Sequence, residues 1–300
     1  MGITIQIQCV LFSIPMVLHL FCIYILHVAR GTNLKDNQRY FFMNLSCSEF
    51  LICFVGIIKR ICKIYGWKEE GTYVRFVQAG IATFVYYFIM IVLTLDRFWE
   101  IFLNIRYPVY FSPRTTKIGI AIIWALSVCF TFALCGLNTT HPDVPNSILT
   151  YFYFVFGIVC IAVSAFTYMY IASKIYNNRI KEDIHIPAVG SLSSSETVSN
   201  AKKRKILLRS LYLPVLLLVS FLVFVIIPET TYFYYDLHDL KMSDQLSTTL
   251  TASYFIAYTL DVFIYVLGSK IIRRTITRRF GCHSLNKVGT SQTNQSSGIS

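Results

Sequence analysis

Seven long stretches of the chain are almost entirely apolar, and shorter polar segments separate them. Each stretch reaches or exceeds the ~20 residues that an α-helix needs to cross a bilayer, whereas a membrane β-barrel needs alternating strands of ~10 residues. The pattern therefore predicts an all-α membrane protein, a bundle of seven transmembrane helices. Their approximate bounds are Ile7–Ala29, Tyr40–Ile61, Tyr73–Leu95, Ile118–Leu137, Ile148–Ser173, Leu207–Tyr235 and Leu246–Gly268.

The composition also argues against a soluble domain. Of the 300 residues, 55% are apolar and 14% are charged, whereas about a quarter of the residues of a soluble domain are charged. We expect one transmembrane domain over residues 1–282. Residues 283–300 are rich in Ser, Thr, Asn and Gln, which predicts a disordered cytoplasmic tail.

Positive charge predicts how the bundle lies in the membrane. With the N-terminus outside and the C-terminus inside, 21 of the 27 Lys and Arg residues fall in cytoplasmic segments, as the positive-inside bias requires. Asn138 begins the sequon Asn138-Thr139-Thr140 in a segment that this orientation places outside, so it is a candidate glycosylation site. The net charge of +12 favours contact with the anionic inner leaflet rather than with nucleic acid.

The third apolar stretch ends in Leu95-Asp96-Arg97-Phe98, at the predicted inner face. An arginine at the end of a span can extend its side chain to the interface, which would explain Arg97 alone. It explains Asp96 poorly, because a carboxylate at that depth is costly unless it is paired. The two residues together therefore predict a functional site at this junction.

The segment that follows carries a recognisable motif. Residues 96–107 are similar to D-R-Y-x-x-I-x-x-P-L-x-Y, Trp124 stands as a single tryptophan of the fourth span, and Asp261-Val262-Phe263-Ile264-Tyr265 resembles [ND]-P-x-x-Y without its proline. Over nearly its whole length the chain resembles a divergent rhodopsin-like (class A) G-protein-coupled receptor. It departs from that family in the sixth span, which has Pro228 but no tryptophan.

The resemblance implies a multi-pass receptor of the plasma membrane that binds an extracellular small ligand or short peptide. It also implies activation of a heterotrimeric G protein, recruitment of arrestin, no enzymatic activity and no cofactor. In the family the arginine of the third span swings toward the G protein when the sixth span moves outward. The residues that would switch or dock the partner here are Asp96, Arg97, Ile105, Tyr168 and Tyr265.

Glu49 and Asp261 are acidic residues inside apolar stretches. Such residues are costly in the membrane and face protein or water. The resemblance brings them together at mid-depth, where the family has a sodium-binding site, and two close carboxylates would titrate as a coupled pair. Tyr86 stands where the family often has a serine ligand, so we expect a site for sodium or for a proton.

Candidate ligand contacts are mostly aromatic residues near the outer ends of the spans. An aromatic belt at the membrane interface is the alternative interpretation. The third span between Gly71 and Met90 has no acid, which argues against a monoamine ligand, and the seventh has no lysine, which argues against retinal. The candidates are Ala79, Tyr86, Tyr151, Phe154, Tyr232, Tyr254 and Tyr258.

The segment after the seventh span, Lys270–Phe280, alternates basic and apolar positions at roughly helical spacing. This predicts a short amphipathic helix on the inner leaflet, and Cys282 just beyond it is a candidate palmitoylation site. Ser and Thr residues of the third inner loop, 176–201, and of the tail would be phosphorylated to recruit arrestin-like partners.

Two other functions remain open from the residues alone. A transporter or channel also needs acids in mid-membrane, although it gives no reason for the motif at Asp96–Tyr107. A receptor-like protein that binds ligand without coupling to a G protein would fit the missing tryptophan of the sixth span and the missing proline of the seventh.

Overall fold

A computed structural model of the chain describes residues 2–28, 36–103, 107–141, 144–184, 212, 215–238, 240–268, 272–273 and 276–277. All regular structure in these ranges is helical, which confirms the predicted all-α class. Seven long helices account for most of it. They are α1 (Gly2–Val28), α2 (Asp36–Tyr65), α3 (Lys68–Val77, Gln78–Thr83 and Phe84–Leu103 in succession), α4 (Pro113–Thr140), α5 (Val144–Ile184), α6 (215–221, Leu222–Ile226 and Ile227–Leu237) and α7 (Asp244–Gly268).

Among the described residues, α1 to α6 are long and apolar enough to cross a membrane. The helix α7 has 25 residues and coincides with the seventh predicted stretch. The helices reach beyond the apolar stretches, because helix formation continues into polar sequence. The helix α5, for example, ends at Ile184, well past the predicted limit at Ser173.

The helix α3 lies at the centre of the bundle, in contact with α2, α4 and α5. Its middle carries large side chains that are almost fully buried, among them Val85, Tyr86, Tyr87 and Ile89. The helix α1 packs against α2 and α7, and α6 packs against α5 and α7. Side chains from α1, α2, α6 and α7 therefore meet those of α3 in one core.

Two π-helical turns interrupt the long helices, Gln78–Thr83 in α3 and Leu222–Ile226 in α6. The turn in α3 brings its backbone close to α4 at Gly80. A Cβ atom at Gly80 would collide with the side chain of Thr131, so only glycine fits at this crossing without displacing α4.

The structure also places Trp124 and the candidate glycosylation site. The Trp124 indole donates from Nε1 to Oδ1 of Asn44 at 3.0 Å, which ties α4 to α2. Asn138 lies in the last turns of α4, where Thr140 Oγ1 donates to the Leu137 carbonyl at 3.2 Å. The fourth span was predicted to end at Leu137, but the helix extends through the sequon to Thr140.

Several predicted features lie outside the described residues. They include Ile105, Cys282, the tail at 283–300 and most of the segment Lys270–Phe280. Within that segment only residues 272–273 and 276–277 are described, and they are helical.

Candidate functional site

The predicted junction at the inner end of α3 is a buried ionic cluster, here called the inner cluster (Asp96, Arg97, Glu100, Tyr107 and Asn37). Arg97 is 3% exposed, and its Nη2 lies 3.0 Å from Oδ2 of Asp96. Its Nη1 donates to Oε2 of Glu100, one helical turn further along, at 2.6 Å. The guanidinium is therefore held between two carboxylates of its own helix.

The segment between α3 and α4 and the start of α2 complete the inner cluster. The Tyr107 hydroxyl donates to Oδ1 of Asp96, and Nδ2 of Asn37 donates to the Phe111 carbonyl at 2.7 Å. The Gln38 amide oxygen accepts from the Arg97 guanidinium. Burial raises the pKa of the Tyr107 hydroxyl above its usual value, so Tyr107 remains a protonated donor at neutral pH.

Two further predicted switch residues come from α5 and α7. Tyr168 on α5 is half-buried, and its hydroxyl lies in the neighbourhood of Arg97 and Thr94. On the same face, Oγ1 of Thr94 and Oγ of Ser164 are 3.4 Å apart. Tyr265 lies in α7, but its side chain is outside the described part of the structure.

A second group of polar side chains, here called the core cluster, lies buried in the interior of the bundle (His19, Glu49, Asp261, Tyr86 and Ser220). The structure brings Glu49 of α2 and Asp261 of α7 together, and both are completely buried. The Tyr86 hydroxyl donates to Oδ2 of Asp261 at 3.5 Å. Tyr86 thus belongs to the core cluster and does not lie among the aromatic residues near the ends of the helices.

His19 is the unexpected member of the core cluster. It lies on α1, is completely buried, and its Nδ1 is 3.3 Å from Oε2 of Glu49. Among the described residues, several buried polar atoms of the core cluster face polar neighbours but make no hydrogen bond of standard geometry. They are His19 Nδ1 and Nε2, Glu49 Oε1 and Oε2, Asp261 Oδ1 and Ser220 Oγ.

The outer aromatic residues form contacts between neighbouring helices. Phe154 of α5 stacks on Phe233 of α6 with ring centroids 4.1 Å apart, and Tyr151 meets the same ring edge-on. The Tyr232 hydroxyl donates to the Ser247 carbonyl at 3.4 Å, which joins α6 to α7.

The remaining ligand candidates lie deeper. Tyr254 is half-buried and stacks on the buried Tyr258 with centroids 6.5 Å apart. Ala79 is buried in a small cluster with Phe76 and Leu134. Of the seven candidates, Ala79, Tyr86 and Tyr258 are therefore buried, and the other four are exposed or half-buried.

Sequence reasoning missed His19, Glu100, Asn37 and Glu229. Glu229 directly follows Pro228 inside the sixth apolar stretch, and it interacts with Tyr254 near the positive charge of Arg75. An acid inside an apolar stretch is a signal that could have identified Glu229. No sequence pattern indicated that His19, Glu100 and Asn37 lie next to their partners.

Comparison with known proteins assigns the chain to a family. No curated protein sequence matches the chain well enough to count as a relative. Residues 23–263 match the sequence model of the family described as 7 transmembrane receptor (rhodopsin family), and this range includes the inner cluster and all of the core cluster except His19. The chain therefore belongs to the rhodopsin family of seven-transmembrane receptors.

Proposed function

We propose that the chain is a plasma-membrane receptor that binds an extracellular small ligand or short peptide and activates a heterotrimeric G protein through rearrangement of its helices. The N-terminus lies outside and the C-terminus lies in the cytoplasm. The support comes from the family membership, from the excess of Lys and Arg in the segments assigned to the inside, and from the inner cluster.

The single observation that carries the proposal is the burial of Arg97 between Asp96 and Glu100. A buried guanidinium is expensive unless carboxylates surround it. A contact of this kind has two stable arrangements, one with Arg97 inside the cluster and one with Arg97 released toward a cytoplasmic partner. A ligand that binds the second arrangement better would shift the population toward it.

The test is G-protein activation in cells that express the receptor with each class of Gα subunit, without ligand and with a panel of peptides, acids and amines. We expect Arg97→Ala to abolish activation. Arg114→Ala is the matched control, because Arg114 is an exposed cation at the cytoplasmic start of α4. If signalling occurs and Arg97→Ala leaves it unchanged, the proposal fails.

Orientation has a separate test. Asn138 of the sequon Asn138-Thr139-Thr140 would carry a glycan outside, whereas the sequon at Asn294 would stay unmodified inside. We expect a glycosidase to shift the wild-type receptor on a gel. Asn138→Gln should remove that shift and Asn294→Gln should keep it, whereas the reverse result would invert the orientation.

The remaining sites follow from this function. Glu49 and Asp261 would form a site for sodium or a proton, and this site would link ligand binding outside to the change at the cytoplasmic end. The half-buried Tyr254 and Glu229 would face the ligand. Cys282 would anchor the end of the receptor to the inner leaflet by palmitoylation. Phosphorylated Ser and Thr residues of the tail would recruit arrestin.

A further inference from the structure

A third polar site, here called the tyrosine pocket, lies in the half of the bundle away from the inner cluster (Glu229, Tyr87, Tyr153 and Tyr254). Glu229 of α6 is half-buried and interacts with the side chain of Tyr254 on α7. Its charge also acts on Tyr87 of α3 and Tyr153 of α5. Within the described part of the chain, Glu229 belongs to none of the ion pairs. Phenol groups from three neighbouring helices therefore surround a carboxylate that has no cation paired with it.

Two hydroxyl groups of the tyrosine pocket lack hydrogen-bond partners among the described residues. Tyr87 is completely buried, and its hydroxyl makes no hydrogen bond. The Tyr153 hydroxyl is also buried and makes no hydrogen bond of standard geometry, although Thr83 is nearby. The two rings stack with centroids 5.9 Å apart. Because nearly all buried hydroxyls in proteins are hydrogen-bonded, this pair indicates that a polar group of a bound molecule is received here.

The backbone next to the tyrosine pocket is irregular in two helices. The π-helical turn Gln78–Thr83 ends just before Tyr87 in α3, and the turn Leu222–Ile226 ends just before Glu229 in α6. One extra residue in a turn rotates the side chains beyond it by about 100° relative to a regular helix. Such turns frequently mark functional sites. Both turns therefore help to set which side chains face the pocket.

Four cations, here called the cation rim, lie close together at this end of the bundle (Lys59, Arg60, Lys63 and Arg75). Like charges repel at short range, and none of the four belongs to an ion pair among the described residues. Arg60 is held by neutral groups, since its Nε donates to Oε1 of Gln8 at 3.1 Å and its Nη1 donates to the Gly56 carbonyl at 2.9 Å. The charge of Arg75 acts on Glu229, which places the rim beside the tyrosine pocket.

The pocket and the rim together select a ligand that carries both charges. A carboxylate and free hydroxyl oxygens accept hydrogen bonds, and a primary ammonium group has three donors to offer them. A simple amine would be repelled by the cation rim and would leave the rim without a counter-charge. A simple anion would be repelled by Glu229. A ligand with an ammonium group and a carboxylate satisfies both sites at once.

We propose that the ligand is zwitterionic, an amino acid or a short peptide, whose primary ammonium group is held by Glu229 and by the hydroxyls of Tyr87 and Tyr153, and whose carboxylate is held by Arg75. This inference rests on the proposed function and names the chemical class of its ligand. It also agrees with the sequence argument against a monoamine. The acid that binds the ammonium group comes from α6 instead of α3, and a monoamine lacks the second charge.

Binding is measured without a G protein, so failure here and failure of the proposed function are distinguishable. The full-length receptor is purified in detergent, and its thermal unfolding is followed with each of the twenty amino acids and with their dipeptides with glycine. For each probe that stabilises the receptor, two analogues lack one charge each. For phenylalanine these are phenethylammonium, without the carboxylate, and 3-phenylpropionate, without the ammonium group.

We expect at least one amino acid or dipeptide to raise the unfolding temperature in a saturable way. Each analogue should need at least about a tenfold higher concentration for the same rise, because it loses a charge-assisted hydrogen bond. Glu229→Gln should remove the advantage of the zwitterion over the acid analogue, and Arg75→Gln should remove its advantage over the amine analogue. The matched control is Asp244→Asn, because Asp244 is an exposed acid at the start of α7 at the same end of the bundle. It should bind the probes as the wild type does.

Tyr87→Phe keeps the test decisive if Glu229→Gln does not fold. Its hydroxyl has no partner in the described structure, so its removal should leave the unfolding temperature of the ligand-free receptor unchanged. Binding of the primary ammonium probe should weaken about two- to tenfold, as for the loss of one hydrogen bond. Binding of the trimethylated form of the same amino acid, which has no N–H to donate, should not change between the wild type and this variant.

Three results would overturn the proposal. The first is a wild-type receptor that no amino acid or dipeptide stabilises. The second is an analogue with one charge that binds as tightly as the zwitterion. The third is a Glu229→Gln or Tyr87→Phe receptor that folds and binds the zwitterion as the wild type does. A receptor that binds these probes but activates no G protein would contradict the proposed function and leave the ligand class standing.

Discussion

Replacing Glu100 with alanine removes one of the two carboxylates that hold Arg97 in the inner cluster. The contact between Nη1 of Arg97 and Oε2 of Glu100 spans 2.6 Å, and the two side chains are 3% and 24% exposed. Asp96 stays in place and keeps its own contact at 3.0 Å. The variant therefore loosens Arg97 without leaving its charge unpaired.

The size of the effect follows from the type of contact. A hydrogen bond between charged groups contributes about 1.5–3 kcal/mol. Because Asp96 still compensates the guanidinium, the lower end of that range applies. A difference of about 1.4 kcal/mol is a factor of ten in an equilibrium constant. We therefore expect the ratio of released to held Arg97, and with it the ligand-independent signalling of the receptor, to rise about tenfold.

The measurement is basal nucleotide exchange on the G protein at equal receptor density in the membrane. Glu100→Gln keeps an oxygen acceptor but loses the charge, so its basal activity should lie between those of the wild type and Glu100→Ala. The matched control is Asp36→Ala, because Asp36 also pairs with an arginine three positions away, at 3.0 Å from Arg39, but is 51% exposed. We expect this control to change little, because the Asp36 carboxylate is half in solvent and the buried Arg39 guanidinium keeps its contact with the Tyr40 ring at 5.0 Å.

Two outcomes would refute this reasoning. The first is a Glu100→Ala receptor that couples to the G protein but has the basal activity of the wild type. The second is a rise in basal activity that persists when Arg97 is also replaced by alanine, because a contact cannot act after its partner has gone. Either result would show that Glu100 does not restrain Arg97.

Two further substitutions test the packing and the loop. Gly80→Ala should lower the free energy of unfolding by about 1–3 kcal/mol, because the new methyl group collides with Thr131 of α4. The measurement is thermal unfolding. Gly119→Ala is the control, and it should keep the wild-type stability because nothing lies within 4 Å of its new methyl group. Tyr107→Phe removes the hydroxyl that donates to Asp96. It should lower the free energy of unfolding by about 1–3 kcal/mol in the same assay, because the buried Asp96 carboxylate loses this donor. An unchanged unfolding temperature in Tyr107→Phe would contradict that hydrogen bond.

The sequence predicted the all-α class and the approximate positions of the spans because each span is a continuous local property of the chain. It also indicated Asp96, Arg97, Glu49 and Asp261, because charged residues are rare at those depths. It could not predict which side chains surround them. Whether His19 faces Glu49 depends on the rotation of α1 about its own axis, which hydrophobicity alone does not determine in a helix that is apolar on all sides.

The inner cluster and the core cluster are connected through one element, the helix α3. Tyr86 of α3 contacts Asp261 of α7, and Arg97 of α3 contacts Gln38 of α2. The step of eleven residues from Tyr86 to Arg97 spans about 16 Å of helix at 1.5 Å per residue. The contacts of Arg97 with Asp96 and Glu100 lie within α3 and stay in place when α3 moves as a unit. A rotation or shift of α3 therefore changes its core contact with α7 and its inner contact with α2 together. Because linkage is reciprocal, a change that stabilises one arrangement of the core cluster has to alter the equilibrium at Arg97 by the same coupling free energy. The two clusters share no side chain, but through α3 they can change state together and act as one switch.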